Sequence, residues 1–577
     1  YTVNSLDNSV SPGGDGIVDI YTPVNRQIPD PNNPTQPYAS QIPGPNPFTG
    51  HIEGPPIIQS SGNGYGIVGL STVAGNTSGF SIENTGQTQI NGNYTIQVGS
   101  HQLEAGFESN IMSVYQYNNS LPWDANPFKD SFLVHPYTGA IFLMDKMEFS
   151  DITFHPGIRF DIYQPDANQI PDLYNPIGVG IANYALTPTK LQTQISPRLA
   201  ITYAVTDQTT FNFGYNWYFE KPNLNDVLTS TGGGNVNALE QSLARGNQTL
   251  GQAGLNAERT KEIDVGFNTQ LSDVFAFSVT GVYKDIRNQT GEEFITSPIL
   301  PIGYTVFTDD EYGTDRSIEF VAEKRMSDNY SIKLNYTYGA AVGTSSSATE
   351  NYAALINQDP NSEQSVLPLT PFPFSYDRTH VANLLFNLVY NKGEGPTIFG
   401  NKLLQWLSLQ TTTVFETGTP YTATDIRGAQ IGSTNGNRLP DNFETDATLT
   451  RTIPFEDLFG ASMSSIFLDL QLEVINVFNR TDPLWVYPAT GQANNDGLPN
   501  QLGSTIDYYN DPTNTRGGQI DALGNLYYDS RLDLNHDGRV SAAEQQISYV
   551  RYRTDNYNRE VFYQVPRRVY LNFTLRF

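Results

Sequence analysis

The last nine residues constrain this chain more than any other stretch. They read Val569-Tyr570-Leu571-Asn572-Phe573-Thr574-Leu575-Arg576-Phe577. Val569, Leu571, Phe573, Leu575 and Phe577 fall on one face, and Tyr570, Asn572, Thr574 and Arg576 on the other. Strict period-two alternation makes this a strand with one apolar and one polar side. Chain ends are usually loose and polar. A terminal strand this apolar suits the last stave of an outer-membrane barrel, with hydrophobes toward lipid and polar groups toward the lumen. Taken alone, the nine residues would also suit a soluble sandwich that ends in a core strand.

The same alternation recurs upstream. Phe211, Phe213, Tyr215, Trp217 and Phe219 share one face, and Asn212, Gly214 and Asn216 the other. Ile263, Val265, Phe267 and Leu271 alternate with Glu262, Asp264 and Asn268, and Phe275, Phe277, Val279 and Tyr283 follow. Ile332, Leu334, Tyr336 and Tyr338 alternate with Lys333, Asn335 and Thr337, and Ile466 to Val474 alternate with Asp469, Gln471 and Glu473. Roughly 16 to 18 such segments occur, each about 9–14 residues long, the length a tilted membrane strand requires. Ser150-Asp151, Thr206-Asp207, Ser272-Asp273 and Ser327-Asp328 join neighbouring segments tightly, as Ser/Thr-Asp turn chemistry allows. The other connections are long, about 164–193, 220–259, 341–375, 418–440 and 481–563. Short turns at one end and long loops at the other are the plan of an outer-membrane barrel. No regular blade period argues for a propeller. The expected fold is therefore all-β: a transmembrane antiparallel β-barrel over 63–577, preceded by an irregular Pro/Asn/Gly-rich loop or linker over 1–62.

Composition agrees. The chain has 577 residues, too many for one soluble core, yet shows no composition break and no apolar run of about 18 residues that would span a membrane as a helix. A mean hydropathy of −0.39 is compatible with membrane strands, since half of each strand faces water. The 34 Tyr and 31 Phe suit aromatic girdles at two interfaces. The absence of cysteine excludes disulfide staples and Cys-based zinc sites. With 59 Asp+Glu against 32 Lys+Arg, a net charge of −27 disfavours nucleic acid and favours divalent cations. The sequence begins at Tyr1 without Met or signal peptide, so it is expected to be a processed or truncated product.

Several stretches, in order, resemble the TonB-dependent receptors of the outer membrane, especially those with a carboxypeptidase-regulatory-like front domain. They are His101–Glu108, Gly157–Asp161, Ile195–Leu199 with Lys221-Pro222-Asn223, Leu255–Thr260 with Glu262–Phe267, and Tyr283–Asn288. Asp377–His380, Gly418–Thr422, Glu473–Asn479 and Pro566–Arg568 continue the series. The resemblance implies a 22-strand barrel filled by an N-terminal plug, in outer-membrane lipid of a Gram-negative bacterium. It implies energised uptake of a scarce solute (a metal chelate, cobalamin, a glycan or a peptide) driven by a TonB-type energy transducer acting through the plug. This sequence shows no plug, no energy-coupling box and fewer strands, so it is expected to be the barrel portion of such a receptor. The alternatives are a plugless barrel used as a surface anchor or adhesive protein, and a diffusion porin.

One local site stands out. Asp533-Leu534-Asn535-His536-Asp537-Gly538-Arg539-Val540-Ser541-Ala542-Ala543-Glu544 matches the twelve-residue calcium loop of an EF-hand. Asp533, Asn535 and Asp537 supply oxygens at positions 1, 3 and 5, and Gly538 makes the sharp turn. Arg539 gives its backbone carbonyl, Ser541 acts directly or through water, and Glu544 offers both carboxylate oxygens. The competing reading is an acidic turn that starts a helix at Ser541, with Glu544 closing a capping box. Calcium is expected here as a structural ion, stiffening the longest connection, 481–563. Gly14–Asp19 resembles half of such a loop but lacks the earlier ligands.

No other chemistry assembles. None of His51, His101, His135, His155, His380 and His536 pairs with another at metal-ligand spacing. There is no phosphate loop and no nucleophile elbow, so no enzyme is expected. Asp469 and Glu473 read as hydrated lumen lining or plug contacts before a glycosidase pair. Trp123, Trp485, Tyr487, Tyr508 and Tyr509 fall in expected loops, where they could stack on a ligand or pack on each other.

Overall fold

A computed structural model describes residues 2–5 and 79–577, apart from 121–127, 177–185, 232–238, 240–241, 244–248, 297, 299, 301–302, 351–369, 461–462, 464, 498–532, 538–540 and 557–561. The stretch 1–62 thus lies outside the described residues except for Thr2–Ser5, and Gly14–Asp19 lies outside them altogether. The chain forms two compact units. The larger comprises Thr85–Tyr115, Phe132–Ala493 and Val561–Phe577; the smaller comprises Tyr1–Asn84, Gln116–Ser131 and Asn494–Glu560.

The fold is all-β. Among the described residues, sixteen of the nineteen strands of one sheet follow one another as an antiparallel ladder. They are β1 (Thr2–Ser5), β2 (Gly79–Val98), β3 (His101–Ser120), β4 (Tyr137–Phe149), β5 (Ile152–Gln164), β6 (Gln192–Thr206), β7 (Thr209–Glu220), β8 (Glu258–Ser272), β9 (Phe275–Ile295) and β10 (Tyr304–Ser327), followed by β11 (Tyr330–Gly343), β12 (His380–Tyr390), β13 (Leu407–Glu416), β14 (Asn442–Pro454), β15 (Phe467–Ile475) and β16 (Arg568–Arg576). Each of β2 to β15 pairs with its predecessor and successor in this series. Among the described residues β16 pairs only with β15. No described helix is long and apolar enough to cross a membrane.

Register explains why these segments became strands. Phe211, Phe213 and Tyr215 lie opposite Phe267, Val265 and Ile263, while Asn212 and Gly214 lie opposite Gly266 and Asp264. Apolar thus meets apolar on one side of the sheet and polar meets polar on the other. Ile263, Val265, Phe267 and Leu271 are each about 40–60% exposed, an apolar surface that suits contact with lipid. In the last strand Val569, Leu571, Phe573 and Leu575 face Val474, Leu472, Leu470 and Leu468, so its period-two pattern does mark a lipid-facing stave.

The tight turns fall at one end. Ser150-Asp151 joins β4 to β5 as expected. At the other three sites the turn begins one residue later, because the Ser or Thr ends the strand and its hydroxyl bonds the turn. Thr206 Oγ1 accepts from the Gln208 amide at 3.2 Å, and Ser272 Oγ from the Phe275 amide at 3.2 Å. Asp328 and Asn329 have φ of 51° and 72°, the left-handed pair a two-residue hairpin demands. Gly99-Ser100 makes a fifth such turn, between β2 and β3, that the Ser/Thr-Asp pattern does not mark. At the opposite end the long connections pack with the ends of β9 and β10 into two apolar clusters. One contains Phe132, Val134, Val227, Leu228, Leu255 and Phe307; the other contains Ile170, Leu239, Leu250, Ile295, Tyr304 and Val306.

Candidate functional site

The polar side of the wall carries paired charges. On β5, Arg159 and Asp161 share a face, because Ile158 and Phe160 take the lipid side. Arg159 donates to Glu108 Oε2 on β3 at 2.7 Å and to Asp161 Oδ1 at 2.8 Å. Ser196 on β6 donates to Asp161 Oδ2 at 3.4 Å, and Gln194 donates to Ser196 Oγ at 3.1 Å. A cavity of about 240 Å³ opens beside Glu108, Arg159 and Asp161. The network continues across β7 to β9: the Tyr218 hydroxyl donates to Glu262 Oε1 at 3.2 Å, and Lys284 Nζ lies 3.4 Å from Glu262 Oε2. Arg159 and Lys284 thus pair with carboxylates of other strands, on a face that also carries Asp264, Asp315 and Glu319, which suits a hydrated passage or a surface that holds a second polar body.

Asp469 belongs to the same face. It accepts from Thr452 Oγ1 at 2.6 Å and from Arg576 Nε at 2.7 Å. Glu473 stands four residues along the strand, roughly 13 Å away at strand rise, beyond the separation that glycoside hydrolysis uses. The pair lines the wall.

Other motif residues fasten loops to strand ends. Asn476, fully buried with φ of 53°, donates to the Arg480 and Val565 carbonyls at 2.8 Å and accepts from the Arg480 amide at 2.9 Å. Arg438 pairs with buried Asp377, which also accepts from the Ala341 amide at 2.7 Å. A Cβ at Gly418 would collide with the Leu439 carbonyl, so only glycine fits there. His380 Nδ1 lies 2.8 Å from the Tyr336 hydroxyl, and its ring packs against Tyr336 and Tyr338, a structural setting.

The acidic loop is wound back on itself. Glu544 Oε1 accepts from the Leu534 and Asn535 amides at 3.0 and 3.2 Å, and Oε2 accepts from the Ser541 amide and hydroxyl, each at 2.8 Å. The Asp537 amide donates to Asp533 Oδ1 at 3.1 Å and to Asn535 Oδ1 at 2.9 Å. Position 12 thus folds onto positions 2 and 3, and the side-chain oxygens of Asp533, Asn535, Asp537 and Glu544 suit a hard cation. The helix Ala542–Asn556 starts on Ser541, whose Oγ accepts from the Glu544 amide at 3.3 Å, so the capping box is also formed. Burial alone would raise the Glu544 pKa; the hydrogen bonds from Ser541, Asn535 and Leu534 outweigh it and hold the carboxyl below the usual glutamate range. Gly538, Arg539 and Val540 lie outside the described residues. Among the described residues no three acidic or histidine side chains already converge as a ligand set.

The loop aromatics divide. Trp485 packs on Tyr487 edge-on at 4.7 Å and on Phe562 at 4.6 Å, so these two pack on neighbours. Trp123, Tyr508 and Tyr509 lie outside the described residues.

The family model for "TonB dependent receptor-like, beta-barrel" matches residues 54–477. The chain belongs to that family. As a TonB-dependent receptor barrel it is an outer-membrane protein, and its two-sided strands are the lipid and lumen faces of that barrel. No curated protein matches it. Among solved structures it is similar to the outer membrane transporter YddB from Escherichia coli (14% identity, 70% of this chain and 51% of that one, TM-score 0.44). It is also similar to the FrpB iron transporter from Neisseria meningitidis (12%, 69% and 51%, 0.43) and the ferric yersiniabactin uptake receptor FyuA from Yersinia pestis (11%, 70% and 51%, 0.44). The chain spans about half the length of these structures.

Proposed function

We propose that this barrel is the passage of an energised uptake receptor for a scarce solute (a metal chelate, cobalamin, a glycan or a peptide), gated by an N-terminal plug and driven by a TonB-type transducer. The observation that carries the reading is the family match over 54–477, joined to a polar inner face that carries ion pairs between strands. Such a face offers hydrogen bonds and charged groups to a plug or a hydrated solute. The intact mass of the protein from native outer membranes, with its N-terminal peptides mapped, tests this reading. Plug sequence ahead of the barrel is the expected result, followed by transducer-dependent uptake in whole cells. A mature chain without a plug would sink it in favour of the surface-anchor alternative.

Loop 533–544 is proposed to bind calcium through Asp533, Asn535, Asp537, the Arg539 carbonyl, Ser541 and Glu544. Its spacing, its oxygen donors and the return of Glu544 onto the loop support this. Calcium would supply rigidity and no reaction step. Calorimetric titration of the chelator-treated protein should show one calcium site that Glu544→Gln weakens. No heat, or equal binding by the variant, would reject it.

A further inference from the structure

The lipid side of β7–β10 changes character toward the long-loop end. Three rows of directly paired residues run across it: Tyr215, Ile263, Tyr283 and Arg316; then Trp217, Lys261, Asp285 and Thr314; then Phe219, Arg259, Arg287 and Tyr312. All share the face of exposed Val265, Phe267 and Ile318, because cross-strand partners and every second residue point the same way. This grid holds four cations and one carboxylate in a chain with 59 acidic and 32 basic residues.

The cations are presented outward and held in place. Arg259, Lys261, Arg287 and Arg316 are exposed. Three are seated on rings of neighbouring strands: Lys261 Nζ lies 4.7 Å from the Trp217 centroid, Arg287 Cζ 5.1 Å from Tyr312, and Arg316 Cζ 5.7 Å from Tyr283. Only Arg287 has an ion-pair partner among the described residues, Asp285 at 2.9 Å. A cavity of about 310 Å³, lined in part by Lys190, Phe219 and Arg259, adjoins the upper row.

Depth selects the partner. If the exposed run Ile263–Leu271 is centred on Phe267, Lys261 and Arg259 lie six and eight residues above that centre. At strand rise and a tilt of about 40°, that is roughly 15–20 Å, just beyond half of a ~25 Å apolar band. The long-loop end faces outward, so the grid sits at the head-group level of the outer leaflet, where lipid is the neighbour and phosphate the complementary charge.

We propose that this surface docks the phosphate groups of an anionic lipid of the outer leaflet. Native mass spectrometry of the full chain in micelles doped with equal phosphatidylglycerol and phosphatidylcholine tests it. The anionic lipid should be retained preferentially, and the preference should fall as ionic strength rises. Arg259→Gln, Lys261→Gln and Arg316→Gln should each weaken retention roughly fivefold. Arg259→Lys should keep most of it, and the inward-facing Lys333→Gln should leave it unchanged. Equal retention of the two lipids, or a preference indifferent to salt, would overturn the proposal from the wild-type protein alone; Gln variants that fold and retain the anionic lipid undiminished would overturn it equally.

Discussion

Arg576 Nε donates to Asp469 Oδ2 across 2.7 Å, a diagonal ion pair on the inner side of the last hairpin. Arg576 lies opposite Phe467 and Asp469 opposite Thr574, so the pair spans the ladder obliquely. It complements the Leu575 and Phe573 contacts on the other side and fixes β16 in one register. Because Arg576 is more than half exposed, solvent screens the pair, and Arg576→Ala should cost only about 0.5 kcal/mol. Urea titration in lipid vesicles would measure this; a cost of several kcal/mol would refute the screened description.

Opposite faces of one strand should answer differently to the same charge. Phe267→Arg places a guanidinium near the centre of the apolar band and should destabilise by about 2–4 kcal/mol. Asn268→Arg, one residue on, points to the lumen and should stay within about 0.5 kcal/mol. Equal effects would mean that the face assignment is wrong.

Asn476 combines a left-handed backbone with three loop-fastening hydrogen bonds in a fully buried site. Asn476→Ala leaves two carbonyls and the Arg480 amide unpaired and puts a poor residue at positive φ. A loss of about 2–4 kcal/mol is expected, with faster proteolysis after Arg480 as a second readout.

Ser541 caps the helix Ala542–Asn556, its Oγ accepting from the Glu544 amide at 3.3 Å. Ser541→Ala should therefore reduce hydrogen-exchange protection of that helix by about 1 kcal/mol in chelator. No change in chelator would show that the Ser541 cap does not hold the helix.

Burial raises the pKa of Asp226, which sits in the short loop helix Leu224–Leu228 next to buried Val227 and Leu228. A raised folded value means the acid form is favoured on folding. That contribution is full below the unfolded pKa of about 4 and lost as pH rises through the folded value. Asp226→Asn should then stabilise the loop at pH 7 by a few tenths of a kcal/mol, solvent screening included, and give no gain near pH 3. Stability curves at the two pH values would settle the sign.

Much of this protein was legible because strand character is local. Alternation at Ile263, Val265, Phe267 and Leu271 states which side meets lipid without reference to any distant residue. The exact turn positions were less legible, because the hydroxyls of Thr206 and Ser272 spend themselves on the turn and lengthen the strand by one residue. That Glu544 both closes a helix cap and folds onto Leu534 required the loop's path.

The sequence by itself determined the strands, their two faces and the orientation implied by short turns and long loops. Tertiary structure alone decided register. Lys261 lies beside Trp217, Arg316 beside Tyr283 and Arg159 within reach of Glu108 only because ladders closed by long loops align at one offset. A shift of one residue would keep each strand's pattern and turn every side chain to the other face, so the pattern limits the offset without naming the partner.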